Sequence, residues 1–226
     1  MSYGLRDDLS YCRADGRLIF LDVEQDRYFR LSDAMEQTLV AFLEGDAGGG
    51  VDIGPLIEAN ILTPAQPETA GSVSPAIELP RRSLVERRPP PRKIAASVLI
   101  DAFTIVCTTQ WRLKRRKLKQ VLDALVAYRQ QHTPQTIKTS NGVRQPGLME
   151  TVDDFRRVRR YVPIEPICLL DSLAMTRFLA KRGLNASIVF GVTTDPFSAH
   201  CWVQTGDLVL NDTVGHTSAY VPIRVV

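Results

Sequence analysis

A helical pattern followed by three strand patterns, between Pro163 and Val214, constrains the fold more than any other stretch of the chain. Apolar residues recur at helical spacing after Cys168, and the helix is predicted to end at Lys181-Arg182-Gly183, with basic residues in its last turn and glycine just past it. Three strands are then predicted, over residues 187–192, 199–204 and 208–211. This order of elements indicates an α+β fold.

Cys168 should stand at the N-terminus of the predicted helix. The backbone N–H groups of a first helical turn lack partners within the helix, and the positive end of the helix dipole lies there. Both favour a thiolate, which is the form of cysteine that attacks a carbonyl. The position of Cys168 therefore suits a nucleophile.

His200 and Asp212 lie on the last two predicted strands. If Thr205-Gly206-Asp207 forms a three-residue hairpin loop, His200 lies directly opposite Asp212. A two-residue loop at Gly206-Asp207 would shift the register by one residue and turn Asp212 to the other face. Since side chains alternate along a strand, Cys201 should point away from His200, while Trp202 shares its face.

The functional hypothesis is a Cys-His-Asp triad, with Cys168 as nucleophile, His200 as base and Asp212 as the residue that orients the base. Spacing alone supports a buried structural cysteine and a hydrogen-bonded histidine equally well. His132 has no companions at metal-ligand spacing, and no metal site is predicted. His216, four residues beyond Asp212, has no predicted position near the thiol and is assigned no role.

The motifs around these residues resemble a known family. Cys168-Leu169-Leu170, Gly191-Val192, the strand from Phe197 to Val203 and Asn211-Asp212 are similar to the transglutaminase-like cysteine peptidases of lasso-peptide biosynthesis, which are leader peptidases. The resemblance covers roughly Ser83 to the C-terminus and implies the same triad and a transglutaminase- or papain-like fold. It departs at Cys201, where the family would have alanine, a small-for-small change expected to leave the triad undisturbed.

The resemblance also implies partners. A ribosomal precursor peptide should present a threonine just before its leader–core junction, and an asparagine-synthetase-like macrocyclase should use ATP to close the ring. This chain has no Gly-rich phosphate-binding loop, so no cofactor is expected in it. Backbone N–H groups at the helix start should hold the oxyanion, and Gln110 is one candidate for an additional donor.

Charge and proline divide the chain into two predicted domains. Residues 1–80 hold 5 basic and 14 acidic side chains, whereas residues 81–226 hold 23 and 11. The prolines between Thr63 and Arg92 disfavour helix and indicate an extended linker. We predict a domain boundary near residue 80, and the opposite charges of the two halves could help them to dock.

Residues 1–80 are predicted to form a small winged-helix-like domain. A hairpin turns at Asp15-Gly16, a third strand runs from Arg27 to Leu31, a helix capped by Ser32 or Asp33 follows, and a short helix covers Ile53 to Asn60. The stretch resembles the PqqD-like domains that bind a leader peptide as an added strand. That resemblance assigns the leader groove to Arg27, Tyr28, Phe29, Arg30, Leu56, Ile57 and Asn60.

Several functions are disfavoured by composition. The acidic first half, without a lysine before Lys93, is unsuited to nucleic acid. The apolar run from Ile94 to Cys107 is too short and too interrupted to span a membrane. The N-terminus lacks a signal-peptide pattern, and the four cysteines show neither disulfide nor zinc-finger spacing, which suits a reducing cytoplasm. The family resemblance implies that this cytoplasm is bacterial.

Helices are also predicted over residues 93–131, as one long helix or a pair, and over residues 151–160. The segment from Arg112 to Lys119 should form a solvated basic face. Two alternatives to the peptidase remain: a non-catalytic module that delivers a precursor peptide, and a transglutaminase-type acyl transferase, because a triad does not choose between water and an amine as acceptor.

Overall fold

The structure is a computed structural model that describes residues 3–44, 52–64, 77–133 and 145–226. It combines helices with strands in the α+β manner predicted from the sequence. Part of the predicted linker, residues 65–76, lies outside the described residues. In the described residues no helix is both long and apolar enough to cross a membrane.

The N-terminal half contains a three-stranded antiparallel sheet in the order β2-β3-β4 and a two-stranded β1-β5 ribbon. The predicted hairpin is confirmed, with Ala14 paired to Arg17 and positive φ angles at Asp15 and Gly16, as its tight turn requires. The elements are β1 Tyr3–Leu5, β2 Leu9–Ala14, β3 Arg17–Asp22, β4 Arg27–Phe29, α1 Asp33–Leu43, α2 Gly54–Glu58 and β5 Leu62–Pro64.

Helix α1 begins where the sequence predicts. The Ser32 side chain accepts a hydrogen bond from the backbone N–H of Met35, which satisfies one free donor of the first turn. Leu39, on the inward face of α1, and Leu56, on α2, are fully buried. They pack with Leu18 and Phe20 on one face of the sheet, so the two helices and this face enclose the N-terminal core.

The C-terminal half combines a helical layer with a five-stranded sheet in the order β10-β7-β8-β9-β6. Residues 93–131 form a pair of helices, because the backbone becomes extended at Arg116 and Lys117. The elements are β6 Arg82–Ser83, α3 Ala96–Arg115, α4 Leu118–His132, α5 Leu148–Arg159, α6 Cys168–Ala180, β7 Ser187–Thr194, β8 Phe197–Thr205, β9 Leu208–Val209, α7 Val214–Thr217 and β10 Val221–Val225.

The predicted linker contributes a strand to this sheet. Arg82 and Ser83 form β6, which pairs in parallel with β9. Arg82 also forms a bidentate ion pair with Asp207, with nitrogen–oxygen distances of 2.6 and 3.1 Å. The chain is therefore already part of the C-terminal sheet two residues after the predicted boundary at residue 80.

The β8–β9 hairpin corrects the predicted register. Thr205 pairs with Leu208, so the loop consists of Gly206 and Asp207 alone. In a continued ladder this register would turn Asp212 away from His200. Strand β9 ends at Val209, however, and the following residues bend out of the ladder. Asp212 therefore approaches His200 from the loop after β9, which the alternation rule does not describe.

The two halves share a hydrophobic cluster. Ile19 and Leu21, on the second face of the N-terminal sheet, pack with Phe190 of β7, Cys201 of β8 and Leu122 of α4. Burial of apolar surface of this kind contributes roughly 25 cal/mol per Å². The N-terminal sheet is thus covered on both faces, by α1 and α2 on one side and by the C-terminal half on the other.

Charges of opposite sign also meet between the halves, as the charge asymmetry suggested. Lys117 binds Glu24 at 2.6 Å and Lys119 binds Asp8 at 3.4 Å. Both lysines belong to the predicted basic face. Because these pairs are partly exposed to solvent, each contributes about 1 kcal/mol at most. The shared apolar cluster therefore dominates the association of the halves.

Candidate active site

Cys168 is the first residue of α6, as the sequence predicts. Ile167 precedes it in extended conformation and supplies no side-chain cap. The first-turn N–H groups are thus left to interact with a negative charge near the helix start. This arrangement favours the thiolate of Cys168 and offers donors for an oxyanion.

Arg159, at the end of α5, holds the loop that leads into Cys168. Its buried guanidinium donates hydrogen bonds to the carbonyl oxygens of Ile164 and Glu165, at 2.9 and 3.3 Å. It also forms an ion pair with Asp171 in the first turn of α6, at 2.6 Å. One side chain therefore connects the loop to the helix at the point where the thiol emerges.

Three groups lie close enough to the Cys168 sulfur to stabilise its thiolate. They are the side chains of Cys201 and His200 and the backbone N–H of Cys201. These interactions outweigh partial burial and lower the pKa of Cys168 to about 4. Burial alone would lower the pKa of His200, but hydrogen bonds to Cys168 and Asp212 raise it. A thiolate–imidazolium pair is therefore favoured at pH values between the pKa of Cys168 and the raised pKa of His200.

His200 is bonded to Asp212 as well as to the thiol. Its Nε2 atom donates to the carboxylate Oδ2 at 2.5 Å, which leaves Nδ1 for Cys168. Both side chains are mostly buried. The structure thus brings together the three residues of the predicted triad, in the order thiol, imidazole, carboxylate.

Asp212 is fixed by further hydrogen bonds. Its Oδ1 atom accepts from the backbone N–H of Thr213 at 2.7 Å, and its carbonyl oxygen accepts from the Ser83 hydroxyl of β6 at 2.5 Å. Burial raises the pKa of Asp212, yet hydrogen bonds from His216, Thr213 and His200 more than offset this and lower it. The carboxylate therefore stays charged and oriented toward the imidazole.

His216 is a site residue that sequence reasoning missed. Helix α7 places its Nδ1 atom 2.8 Å from Oδ2 of Asp212, the oxygen that also binds His200. The two imidazole rings lie 4.6 Å apart, centroid to centroid. The signal was present in the sequence: Thr213 is a good helix cap, and a helix begun there brings residue 216 back to Asp212.

A buried polar network connects α6 with β8 and the loop after β9. The Asn211 side chain accepts from the backbone N–H of Val203 at 2.7 Å and donates to the Ser172 hydroxyl at 3.0 Å. Ser172 in turn donates to the carbonyl oxygen of Cys201 at 3.3 Å. Since Asn211 directly precedes Asp212, this network sets the position of the carboxylate relative to β8.

The site also contains three side chains of types that bind metal ions, His200, Asp212 and His216. Their potential ligand atoms lie within 4.8 Å of one another. In the structure both imidazole nitrogens are directed at the same carboxylate oxygen, at 2.5 and 2.8 Å. Hydrogen bonds to that oxygen thus already use the lone-pair directions that a metal ion would need. The geometry fits a hydrogen-bonded network better than a metal cage.

Gln110, the candidate oxyanion donor, lies on α3 and is half-buried. Within the described part of the chain no hydrogen bond joins it to Cys168 or His200. The donors that the structure does bring to the thiol are the Cys201 backbone and the first turn of α6.

The seven positions assigned to a leader groove do not lie on one surface. Arg27 and Arg30 are exposed on and just after β4, and the Arg27 guanidinium lies 5.1 Å from the centre of the Phe29 ring. Ile57 on α2 is half-buried, and Asn60 is exposed beyond the end of α2.

Two of the seven require correction. Leu56 is fully buried in the N-terminal core and presents no surface to a peptide. Tyr28 lies on the opposite face of the sheet from α2, in the cluster shared with the C-terminal half, because successive residues of β4 point to opposite faces. Phe29, which points to the other face, stacks on Phe20 at 5.3 Å within the N-terminal core.

Comparison with known proteins gives one family match. The family described as the transglutaminase-like superfamily matches residues 105–225, more than half of the chain, and this range contains Cys168, His200 and Asp212. The chain is also 47% identical over 45 residues to the microcin J25-processing protein McjB of Escherichia coli. That alignment covers 20% of this chain and 22% of the length of McjB. No solved structure matches the chain.

Proposed function

Because the chain belongs to the transglutaminase-like superfamily, we propose that it is a cysteine peptidase that removes the leader from the precursor of a lasso peptide. The observation that carries the proposal is the grouping of three side chains: Cys168 at the start of α6, His200 close enough to lower its pKa, and Asp212 hydrogen-bonded to His200. The similarity to a protein named for processing microcin J25 supports a peptide substrate.

The reaction begins from the thiolate of Cys168 and the imidazolium of His200. The thiolate attacks the carbonyl carbon of the leader–core bond, and first-turn N–H groups of α6 together with that of Cys201 hold the developing oxyanion. The new bond is sulfur to carbon. The carbon–nitrogen bond then breaks, and His200 gives its proton to the departing amine of the core peptide.

Water completes the cycle. His200, now neutral, removes a proton from a water molecule that attacks the leader thioester, and the leader leaves with a free carboxylate. Asp212 stabilises the imidazolium at both stages and keeps Nε2 of His200 protonated, so that Nδ1 faces the sulfur. The carbon–sulfur bond then breaks, so the sulfur leaves as the thiolate while His200 keeps the proton taken from water, which restores the starting ion pair.

The N-terminal half is proposed to be a PqqD-like domain that binds the leader. Among the described strands β4 is an edge strand of its sheet, so a peptide strand could be added beside it. Arg27 and Phe29 lie on β4 and Arg30 follows it, and Phe29 shares the N-terminal core cluster with Ile57, three residues before Asn60. The two arginines suit a leader with acidic residues.

The wider pathway belongs to the same proposal. An asparagine-synthetase-like macrocyclase would consume ATP and close the ring after this chain has released the core peptide. We place the reaction in the bacterial cytoplasm, where reducing conditions keep the Cys168 thiol free.

The test is mass spectrometry of a precursor peptide after incubation with the wild-type protein, Cys168→Ala or Cys107→Ala. Cys107, on α3, is the control for the removal of a thiol elsewhere. Each reaction is run with and without the neighbouring macrocyclase and ATP. We expect a single cut at the leader–core junction with the wild type and with Cys107→Ala, and none with Cys168→Ala, whose leader affinity should be unchanged.

Other results would select the alternatives. Leader binding without cleavage under every condition would make the chain a peptide-delivery module. A product in which the leader is joined to an amine, rather than released with a carboxylate, would identify an acyl transferase. Normal cleavage by Cys168→Ala would contradict the triad itself.

A further inference from the structure

Tyr28 comes from the N-terminal sheet but lies beside the candidate nucleophile. It packs in one apolar cluster with Cys168 and Leu169 at the start of α6. Its ring makes an edge contact with the ring of Phe197 on β8, with centroids 5.7 Å apart. Tyr28 thus contacts β8, the strand that carries the imidazole, and packs against the same apolar cluster as the first residues of α6.

The environment of Tyr28 is apolar and close to the thiols. Burial raises the pKa of its phenol, and the nearby thiols of Cys201 and Cys168 raise it further. The ring is therefore neutral at every pH at which the enzyme would work. The ring is only partly buried, so part of its surface is exposed to solvent.

Two exposed apolar side chains, Phe197 and Ile167, come from the elements that carry the triad residues. Phe197 is 52% exposed and lies three residues before His200 on β8, and Ile167 is 51% exposed and directly precedes Cys168. Large apolar side chains exposed together next to a nucleophile suit the binding of a substrate side chain. A substrate carboxylate at this place would be repelled by the thiolate.

We propose that Tyr28 and Phe197 form the walls of the subsite that binds an uncharged substrate side chain next to the scissile bond. The proposal rests on the peptidase function and deepens it. The N-terminal half then has two roles, since Arg27 and Arg30 serve the leader while Tyr28, between them in sequence, completes the active site. A leader added along β4 would pair with the edge of the strand, whereas a junction bound at Cys168 would contact the face that carries Tyr28.

The test measures leader binding separately from cleavage of the leader–core bond. Tyr28→Ala, Tyr28→Phe and Phe197→Ala are compared with the wild type and with Trp111→Ala, which removes an exposed ring on α3. For each variant, kcat/KM for the precursor and the Kd of the isolated leader are measured. Phe197→Ala is included because its ring is half exposed and can be lost with little effect on folding.

We expect Tyr28→Ala and Phe197→Ala to lower kcat/KM roughly tenfold or more, as is usual when a substrate pocket loses an apolar contact. Leader Kd should stay within about twofold of the wild type, and Tyr28→Phe and Trp111→Ala should cleave nearly normally. A leader affinity that falls in proportion to kcat/KM in Tyr28→Ala would overturn the proposal, because Tyr28 would then belong to the leader groove.

A second readout does not depend on turnover. A peptide covering only the junction should protect Cys168 from alkylation by iodoacetamide in the wild type, and protection should be lost in Tyr28→Ala and Phe197→Ala. Equal protection in all variants would reject the subsite. If the wild type cleaves no precursor, the proposed function fails, but the alkylation result still decides whether Tyr28 and Phe197 bind a peptide beside the thiol.

Discussion

Cys201 lies close enough to Cys168 to lower the pKa of its thiol, although the two cysteines come from a strand and a helix 33 residues apart in sequence. Cys201 keeps its own proton, because the negative charge on Cys168 and its own burial raise its pKa. The family that this chain resembles would have alanine at this position, and cysteine in its place was expected to leave the triad undisturbed. The structure instead gives Cys201 a direct effect on the nucleophile.

Cys201→Ala should raise the pKa of Cys168 from its value of about 4. A hydrogen bond to a charged group contributes about 1.5–3 kcal/mol, which corresponds to a rise of roughly one to two pH units. The ultraviolet absorbance of the thiolate, followed against pH, measures this directly. Cys107→Ala is the control and should leave the titration unchanged, and an unaltered titration in Cys201→Ala would contradict this effect of Cys201.

The rate of peptide cleavage should depend on pH with two limbs. The thiolate forms as pH rises through about 4, the pKa of Cys168, so kcat/KM should rise there. The imidazolium is lost as pH rises through the pKa of His200, which lies above its ordinary value of 6.5, so kcat/KM should fall above that pH. The Asp212→Asn variant should move the alkaline limb to lower pH, because the carboxylate helps to raise the His200 pKa. A limb that stays in place would show that Asp212 does not act on His200.

His216→Ala should weaken catalysis without abolishing it. His216 donates to the Asp212 oxygen that also binds His200, and its loss raises the pKa of Asp212 and loosens its orientation. Since His216 is about half exposed, we expect a loss of about 1 kcal/mol, or roughly fivefold in kcat. His216→Gln retains an amide donor and should recover much of the rate. His132→Ala, on α4, serves as control, and a full loss of activity in His216→Ala would make His216 essential rather than supportive.

Asn211→Ala should reduce both stability and activity. The substitution leaves the backbone N–H of Val203 without its side-chain acceptor and removes a donor to Ser172, both in a mostly buried site. An unsatisfied buried group costs about 1–3 kcal/mol. Urea unfolding should show this loss, and kcat should fall because Asp212 is less well positioned.

The Asn211→Asp variant is the control, because its carboxylate keeps an acceptor for the backbone N–H of Val203. It should be less destabilised than the alanine variant. If the alanine variant is as stable as the wild type, the network does not stabilise the fold.

Local patterns in the sequence determined much of the fold. The start of α6 at Cys168, the turn at Asp15-Gly16 and the cap of α1 at Ser32 are all found where predicted. They depend on helical or strand periodicity and on backbone preferences of a few adjacent residues. Such features need no knowledge of distant parts of the chain.

The exact geometry of the site was decided by tertiary structure. The sequence paired His200 with Asp212 through a three-residue loop, whereas a two-residue loop is present and Asp212 returns only because the chain leaves the ladder after Val209. The hydrogen bond from His216 depends in turn on where that loop carries Asp212.

Packing between distant segments also brought Cys201 close to Cys168. It packed Tyr28 against the same apolar cluster as Cys168. Periodicity gives the face on which a side chain lies but not what covers that face. One face of the N-terminal sheet is covered by its own helices and the other by the C-terminal half, and only the tertiary structure shows which residues meet there. The sequence thus determined the elements and the chemical groups, and long-range packing determined which groups act together.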